Sequence, residues 1–164
     1  MSDDIPQVLM EVASRVFETS AFMAVFPPEE ADLPYDNAVK AASISFSGLE
    51  AGRLILALSP EILPSLVASM LGIEEAEDCE ANGGEDALLE VLNIICGNVL
   101  TEIFGRDPIF DLQPPTLIEP NDAQAMLSSL PNEHRVAFAV ENTRAELILR
   151  LANRPWARQL SNDE

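Results

Sequence analysis

One stretch constrains this chain more than any other: residues 85–104, EDALLEVLNIICGNVLTEIF. Turned through about 100° per residue, Leu88, Leu92, Ile95, Val99 and Ile103 fall on one stripe, flanked by Leu89, Cys96 and Leu100. Such a stripe has to be buried, so the run is read as an amphipathic helix packed on an apolar core. Gly105 and then Asp107-Pro108 stop it. The other side is polar. Asp86, Glu90, Asn93, Gly97 and Thr101 are spaced by four, three, four and four residues and stack along one line. Within a helix Gly costs up to ~1 kcal/mol relative to Ala, so Gly97 calls for a reason. Two readings of the line stand. One is an ordinary solvated face with a helix–helix contact at Gly97. The other is an exposed carboxylate and carboxamide held one turn apart on a rigid rod, beside a gap that another surface can enter.

The remaining elements say what this helix packs on. Val8, Leu9, Val12, Val16 and Phe17 repeat at helical spacing and predict a helix over 5–25, ended by Pro27-Pro28. A loop then runs to Asn37. Strands over 41–46 and 53–58, joined by a turn between Gly48 and Gly52, predict a hairpin. Ser59-Pro60-Glu61 reads as a helix start with Ser59 as N-cap, and that helix runs to Leu71 and stops at Gly72. An acidic linker over 73–84 precedes the long helix. After it come a Pro-rich loop with Pro114-Pro115, a short strand over 116–118, and a second hairpin from 135–140 and 145–151 turning at Asn142-Thr143. The fold class expected is α/β in the α+β sense. It is a single domain over 1–164, with a mostly antiparallel sheet from two hairpins and the long helices on one face.

The two halves, about 1–72 and 85–155, look alike. GRLILAL at 52–58 and AELILRL at 145–151 share a pattern, and aligning the long helices sets Glu11 against Glu90 and Ser14 against Asn93. Internal duplication and convergent amphipathic patterning both account for this.

Charge narrows the function. With 28 acidic residues against nine Lys and Arg the net charge is −19, which argues against nucleic acid and anionic membrane surfaces. The Met1-Ser2-Asp3-Asp4 start lacks the basic segment of a signal peptide, and no apolar run approaches the roughly 18 residues of a membrane span, so a cytoplasmic protein is expected. Cys79 and Cys96 are read as free thiols. With them, a lone His134 gives no metal-ligand spacing, and no metal site is expected. The seven glycines form no phosphate-binding loop, and one histidine leaves no evident Ser/His/Asp set.

The pattern Asp86-x3-Glu90-x2-Asn93, within Leu92-Asn93-Ile94-Ile95-Cys96-Gly97-Asn98, resembles the active helix of the CheX/CheC family of chemotaxis phosphatases. There the motif is followed at a distance by a proline, here Pro114 or Pro115. The N-terminal helix, the first hairpin and the order of elements are similar too, so the resemblance covers most of the chain. It implies that the substrate is the phospho-aspartate of a CheY-like response regulator. Asn93 would orient the attacking water, Glu90 would pair with a receiver lysine, and Asp86 and Gly97 would support docking. Glu11 and Ser14 would be a degenerate second site. The chain would bind no cofactor of its own, Mg²⁺ coming from the receiver. Family members join as homodimers through sheet edges, and the apolar alternation over 145–151 is compatible with that. The alternative is a non-catalytic receiver-binding or flagellar-switch adaptor. Glu74, Glu75, Glu77, Asp78, Glu80, Glu85 and Asp86 crowd the approach, and no Lys or Arg lies between Arg53 and Arg106. Such a helix cannot by itself neutralise a phosphate, so no activity on small phosphate esters is expected.

Overall fold

The structure is a computed structural model and describes residues 4–26, 39–71, 83–119, 121–123, 134–141 and 143–152. The elements run α1 (Ile5–Ser20), β1 (Val25–Phe26), β2 (Lys40–Ser47), β3 (Gly52–Leu58), α2 (Leu63–Leu71), α3 (Gly83–Phe104), β4 (Asp111–Leu112), β5 (Thr116–Ile118), β6 (His134–Val140) and β7 (Thr143–Leu151). The strands form one antiparallel sheet in the order β1-β6-β7-β3-β2-β4, with β5 also on β2. Both expected hairpins are present, β2–β3 and β6–β7, and they join through β3 and β7. The two look-alike heptads are therefore each other's neighbours, paired from Gly52 with Leu151 to Leu58 with Ala145.

Strand alternation sorts the sheet into two faces. Ala42, Ile44, Phe46, Leu54, Leu56, Leu58, Phe138, Val140, Ala145, Leu147 and Leu149 share one buried cluster with the apolar stripes of the helices. Phe17 of α1 meets Phe138 of β6 edge-on, with ring centroids 6.1 Å apart. On the opposite face a small cluster joins Val39, Ala41, Ala57 and Ala123. Glu146 is buried on that face too. Its carboxylate accepts from Arg135 at 2.6 Å and from Arg144 at 3.2 Å, so the charge is paired where it leaves water. Helix α3 packs against α1, α2, β2 and β3, and it forms the middle of the helical layer.

Several boundaries differ from the sequence expectation. Helix α1 is capped by Asp4, whose side chain accepts from the Gln7 N–H at 3.1 Å, and it ends at Ser20 rather than at residue 25. Phe22 adopts a left-handed φ of 55°, and the Met23 N–H folds back to the Phe17 carbonyl at 2.9 Å. That reversal frees Val25–Phe26 to pair with β6. Ser59 does not cap a helix through its side chain. It is extended and leads into a 3-10 turn at Pro60–Ile62, and α2 starts at Leu63. The second hairpin turns one residue early. Thr143 already pairs with Val140, and Glu141 carries the positive φ of 51°. Strand β7 lies between β6 and β3, so residues 145–151 are not the sheet edge that the pattern suggested. Residues 84–104, moreover, are long and apolar enough by composition to cross a membrane, against the expectation for any stretch. In the fold about half of that segment is buried protein core, and its remaining face carries Asp86, Glu90, Asn93 and Glu102. Cys79 and most of the acidic linker lie outside the described residues.

The start of α3 shows tertiary packing overriding propensity. Gly83 and Gly84 extend the helix two residues beyond the expected start. A Cβ on Gly84 would sit 2.9 Å from the Leu63 Cβ, so α2 and α3 touch where only glycine fits, whereas a Cβ on Gly97 would meet nothing within 4 Å. The two glycines should respond oppositely to alanine in urea unfolding. Gly84→Ala should lower stability by about 1–2 kcal/mol through overpacking, and Gly97→Ala should raise it by about 0.5–1 kcal/mol through helix propensity.

Candidate functional site

The site begins with an irregular sheet edge. Gly105, at a φ of 87°, ends α3 with its N–H on the Thr101 carbonyl at 2.8 Å. The chain then turns back through Phe110, whose ring packs on Phe104 at 5.3 Å and on Phe46 at 6.0 Å. Residues 111–118 run along β2 as an interrupted edge strand. β4 pairs Leu112 with Phe46, and β5 pairs Thr116 with Ser43. Between those pairs Gln113, Pro114 and Pro115 stand opposite only Ile44 and Ser45, so one extra residue bulges from the edge. Gln113 still donates its N–H to the Ser45 carbonyl at 2.9 Å. The prolines have no N–H to give, which is why the ladder breaks there.

The bulge faces α3. Leu112, Gln113, Pro114 and Pro115 form one wall of an open groove of about 360 Å³, and Asp86, Leu89, Glu90 and Asn93 form the other. The structure thus brings together Asp86, Glu90 and Asn93, and it sets both candidate prolines beside them. All three polar side chains are exposed, while Leu88, Leu92 and Ile95 on the reverse of the same turns are fully buried. Burial of that stripe locks the rotation of α3, and the locked helix holds the carboxylates and the carboxamide toward the groove. Lys40 reaches the first turn of α3 and pairs with Glu85 at 3.4 Å, a half-exposed contact of small energetic weight. Among the described residues no three His, Cys, Asp or Glu side chains cluster as metal ligands.

The other sequence candidates fall elsewhere. Gly97 is on the same helix line but lines a second groove with Arg15, Asn98, Thr101, Glu102 and Arg106. Glu11 and Ser14 are on α1 and do not line the first groove. Glu11 accepts from Gln7 at 3.0 Å, and Ser14 donates to Glu18 at 3.2 Å. The sequence reading missed the bulge itself and Leu112. The adjacent prolines beside a strand were the available signal, since such a pair cannot continue a ladder. It also missed Arg15, whose guanidinium donates to Asn98 and Glu102 across the α1–α3 seam.

This α+β architecture is shared by solved chemotaxis proteins. The CheX chain of a CheX–CheY–BeF3–Mg²⁺ complex from Borrelia burgdorferi superposes with a TM-score of 0.63 at 17% identity, covering 92% of this chain and 99% of that one. A chemotaxis protein CheX from Desulfovibrio desulfuricans gives 0.64 at 18%, covering 90% and 98%. CheX from Vibrio vulnificus gives 0.65 at 14%, covering 90% and 96%. No curated protein matches the sequence. The family model for chemotaxis phosphatase CheX matches residues 41–139, more than half of the chain, and the protein belongs to the CheX family.

Cys96 lies on the buried side of the same helix. Loss of hydration pushes its thiol from 9.0 up to about 12, so it stays neutral and is no nucleophile for the groove. Above pH 9 the unfolded chain ionises this thiol and the folded chain does not, so Cys96 costs stability as pH rises from 9 toward 12 and nothing below that range. Alkylation of the native protein in mildly alkaline buffer should leave Cys96 unmodified by peptide mass spectrometry. Denaturant should make it react fully.

Proposed function

We propose that this protein is a phosphatase for the aspartyl phosphate of a CheY-like response regulator, with the α3 groove as its working surface. The single observation that carries the reading is the convergence of Asp86, Glu90 and Asn93 on one exposed groove walled by the Pro114-Pro115 bulge. Membership of the CheX family supports it, as does a structural neighbour, seen bound to CheY with BeF3 and Mg²⁺. In this reading Asn93 enters the receiver's active site. Its carboxamide accepts from the attacking water and donates to a neighbouring oxygen, which holds the water in line with phosphorus. No pKa shift is needed, because an amide does not titrate. Glu90, one turn back, pairs with a receiver lysine and sets the register of the two proteins. Asp86 supports that edge, and the apolar rims at Leu89 and Leu112 exclude water around it. The receiver supplies Mg²⁺ and cationic charge, because the α3 side of the groove offers only acids and an amide.

The same reading makes the protein cytosolic, where receivers reside. It takes Glu11 and Ser14 as the degenerate copy left by a duplication of the two halves. A homodimer joined through sheet edges is part of the proposal too. With β7 internal, the edges open to a second copy among the described residues are β6, which β1 covers only at Ala139 and Val140, and the β4–β5 edge on β2.

The test is the decay of a phosphorylated CheY-like receiver with and without the protein. Wild type should accelerate decay, and Asn93→Ala should lose roughly 10²-fold of that acceleration while still binding the receiver. Neither form should turn over a small phosphate ester. Tight binding to the phosphorylated receiver with no acceleration by wild type would make the protein an adaptor, and turnover of a free ester would sink the mechanism.

A further inference from the structure

We propose that the second groove on α3 seats an acidic element of the receiver, with Arg15 and Arg106 as specificity-determining residues that fix the receiver's orientation. The proposal rests on the receiver reading above and deepens it. This groove, about 450 Å³ and open, is lined by Arg15, Gly97, Asn98, Thr101, Glu102 and Arg106. Gly97 and Thr101 continue the line of Asp86, Glu90 and Asn93, so the two grooves are successive parts of one helix face. The arginine groove starts only about 6–12 Å beyond Asn93, at ~1.5 Å per residue. A globular partner that touches Asn93 and extends along α3 toward its C-terminal end covers it.

Charge picks the occupant. The chain is strongly acidic, with nine Lys and Arg in total. Arg53, Arg135, Arg144 and Arg150 alternate with core residues and so belong to the sheet face away from the helices. On the helical side, among the described residues, the Lys and Arg side chains are Lys40, paired with Glu85, Arg15, paired with Glu102 in this groove, and Arg106. Arg15 is held in place. Its guanidinium donates to the Asn98 Oδ1 at 3.3 Å and to the Glu102 Oε1 at 3.4 Å, and Asn98 is itself anchored by its Nδ2 donating to the Ile94 carbonyl at 2.8 Å. Arg106 makes no ion pair among the described residues. Between the acidic and basic ends sits Gly97, with open space where a side chain would be.

The helix face is therefore dipolar. Glu85, Asp86 and Glu90 mark one end, and at the other Arg15, Glu102 and Arg106 leave a net positive charge, with Arg106 its cation outside the Arg15–Glu102 pair. A receiver must present the reverse order, a lysine over Glu90 and carboxylates over the arginines. A receiver turned end for end would set like charges together, and that repulsion selects one orientation.

The experiment compares Arg106→Glu with Arg53→Glu, the same charge change placed on the opposite sheet face. Association with a beryllofluoride-activated receiver is followed by stopped flow at low and raised salt, and dephosphorylation is followed under saturation. Arg106→Glu should slow association roughly tenfold at low salt, with the gap closing as salt rises, while the maximal dephosphorylation rate is kept. Arg53→Glu should have less than a third of that effect. Arg15→Gln should slow association in the same direction, and its urea midpoint reports separately on the α1–α3 tie. Equal effects of Arg106→Glu and Arg53→Glu, with wild type active, would overturn this proposal and leave the phosphatase reading standing. If wild type neither bound nor dephosphorylated any receiver, both would fall.

Discussion

Everything in this molecule depends on how α3 divides itself between core and surface. Leu88, Leu92, Ile95, Val99 and Ile103 are each at most 1% exposed, wedged between α1, α2 and the sheet. Each such side chain contributes about 1.5–3 kcal/mol of burial free energy, and their combined pull leaves the helix one rotation. The exposed positions opposite then have no freedom of placement. A carboxylate and a carboxamide one turn apart need that rigidity. In the proposed reaction, positioning a water for in-line attack tolerates little error, and a site on a buried helix is more exact than one on a loop.

Two departures from regular structure lie beside this helix. The Pro114-Pro115 bulge spoils the ladder on β2 and supplies the facing wall of the first groove. Gly97 weakens α3 and leaves a gap beside the second. Proteins keep such locally unfavourable residues at functional sites more often than elsewhere. Gly84 belongs to a different class. Its missing side chain serves the contact with Leu63, a purely internal need, so two glycines in one helix report on opposite things.

Much of this was legible in the sequence. The α3 stripe, both hairpins, the short strand over 116–118 and the placement of the helices on one sheet face follow from periodicity of 3.6 and 2. The Asp86, Glu90, Asn93 line followed from helical spacing, and its family resemblance gave it a chemistry. What could not be read was set by long-range contact. Nothing local in Phe22 announces a left-handed turn, so apolar residues 21–25 read as more helix although they feed β1. The pairing of β3 with β7 joins segments far apart in sequence, and without it β7 reads equally well as an edge. The two-groove division of the α3 face required Arg15, which arrives from the first helix.

The account stands on the claim that the receiver docks on the α3 face. Amide and side-chain NMR of the isotope-labelled protein, titrated with an unlabelled beryllofluoride-activated CheY-like receiver, tests it directly. The account predicts shifts or broadening over residues 86–97, at Leu112 and Gln113, and at the Asn93 side-chain amide, with the outer sheet face around Arg53 and Arg144 quiet. Perturbations confined to that outer face, with Asn93 unmoved, would contradict it.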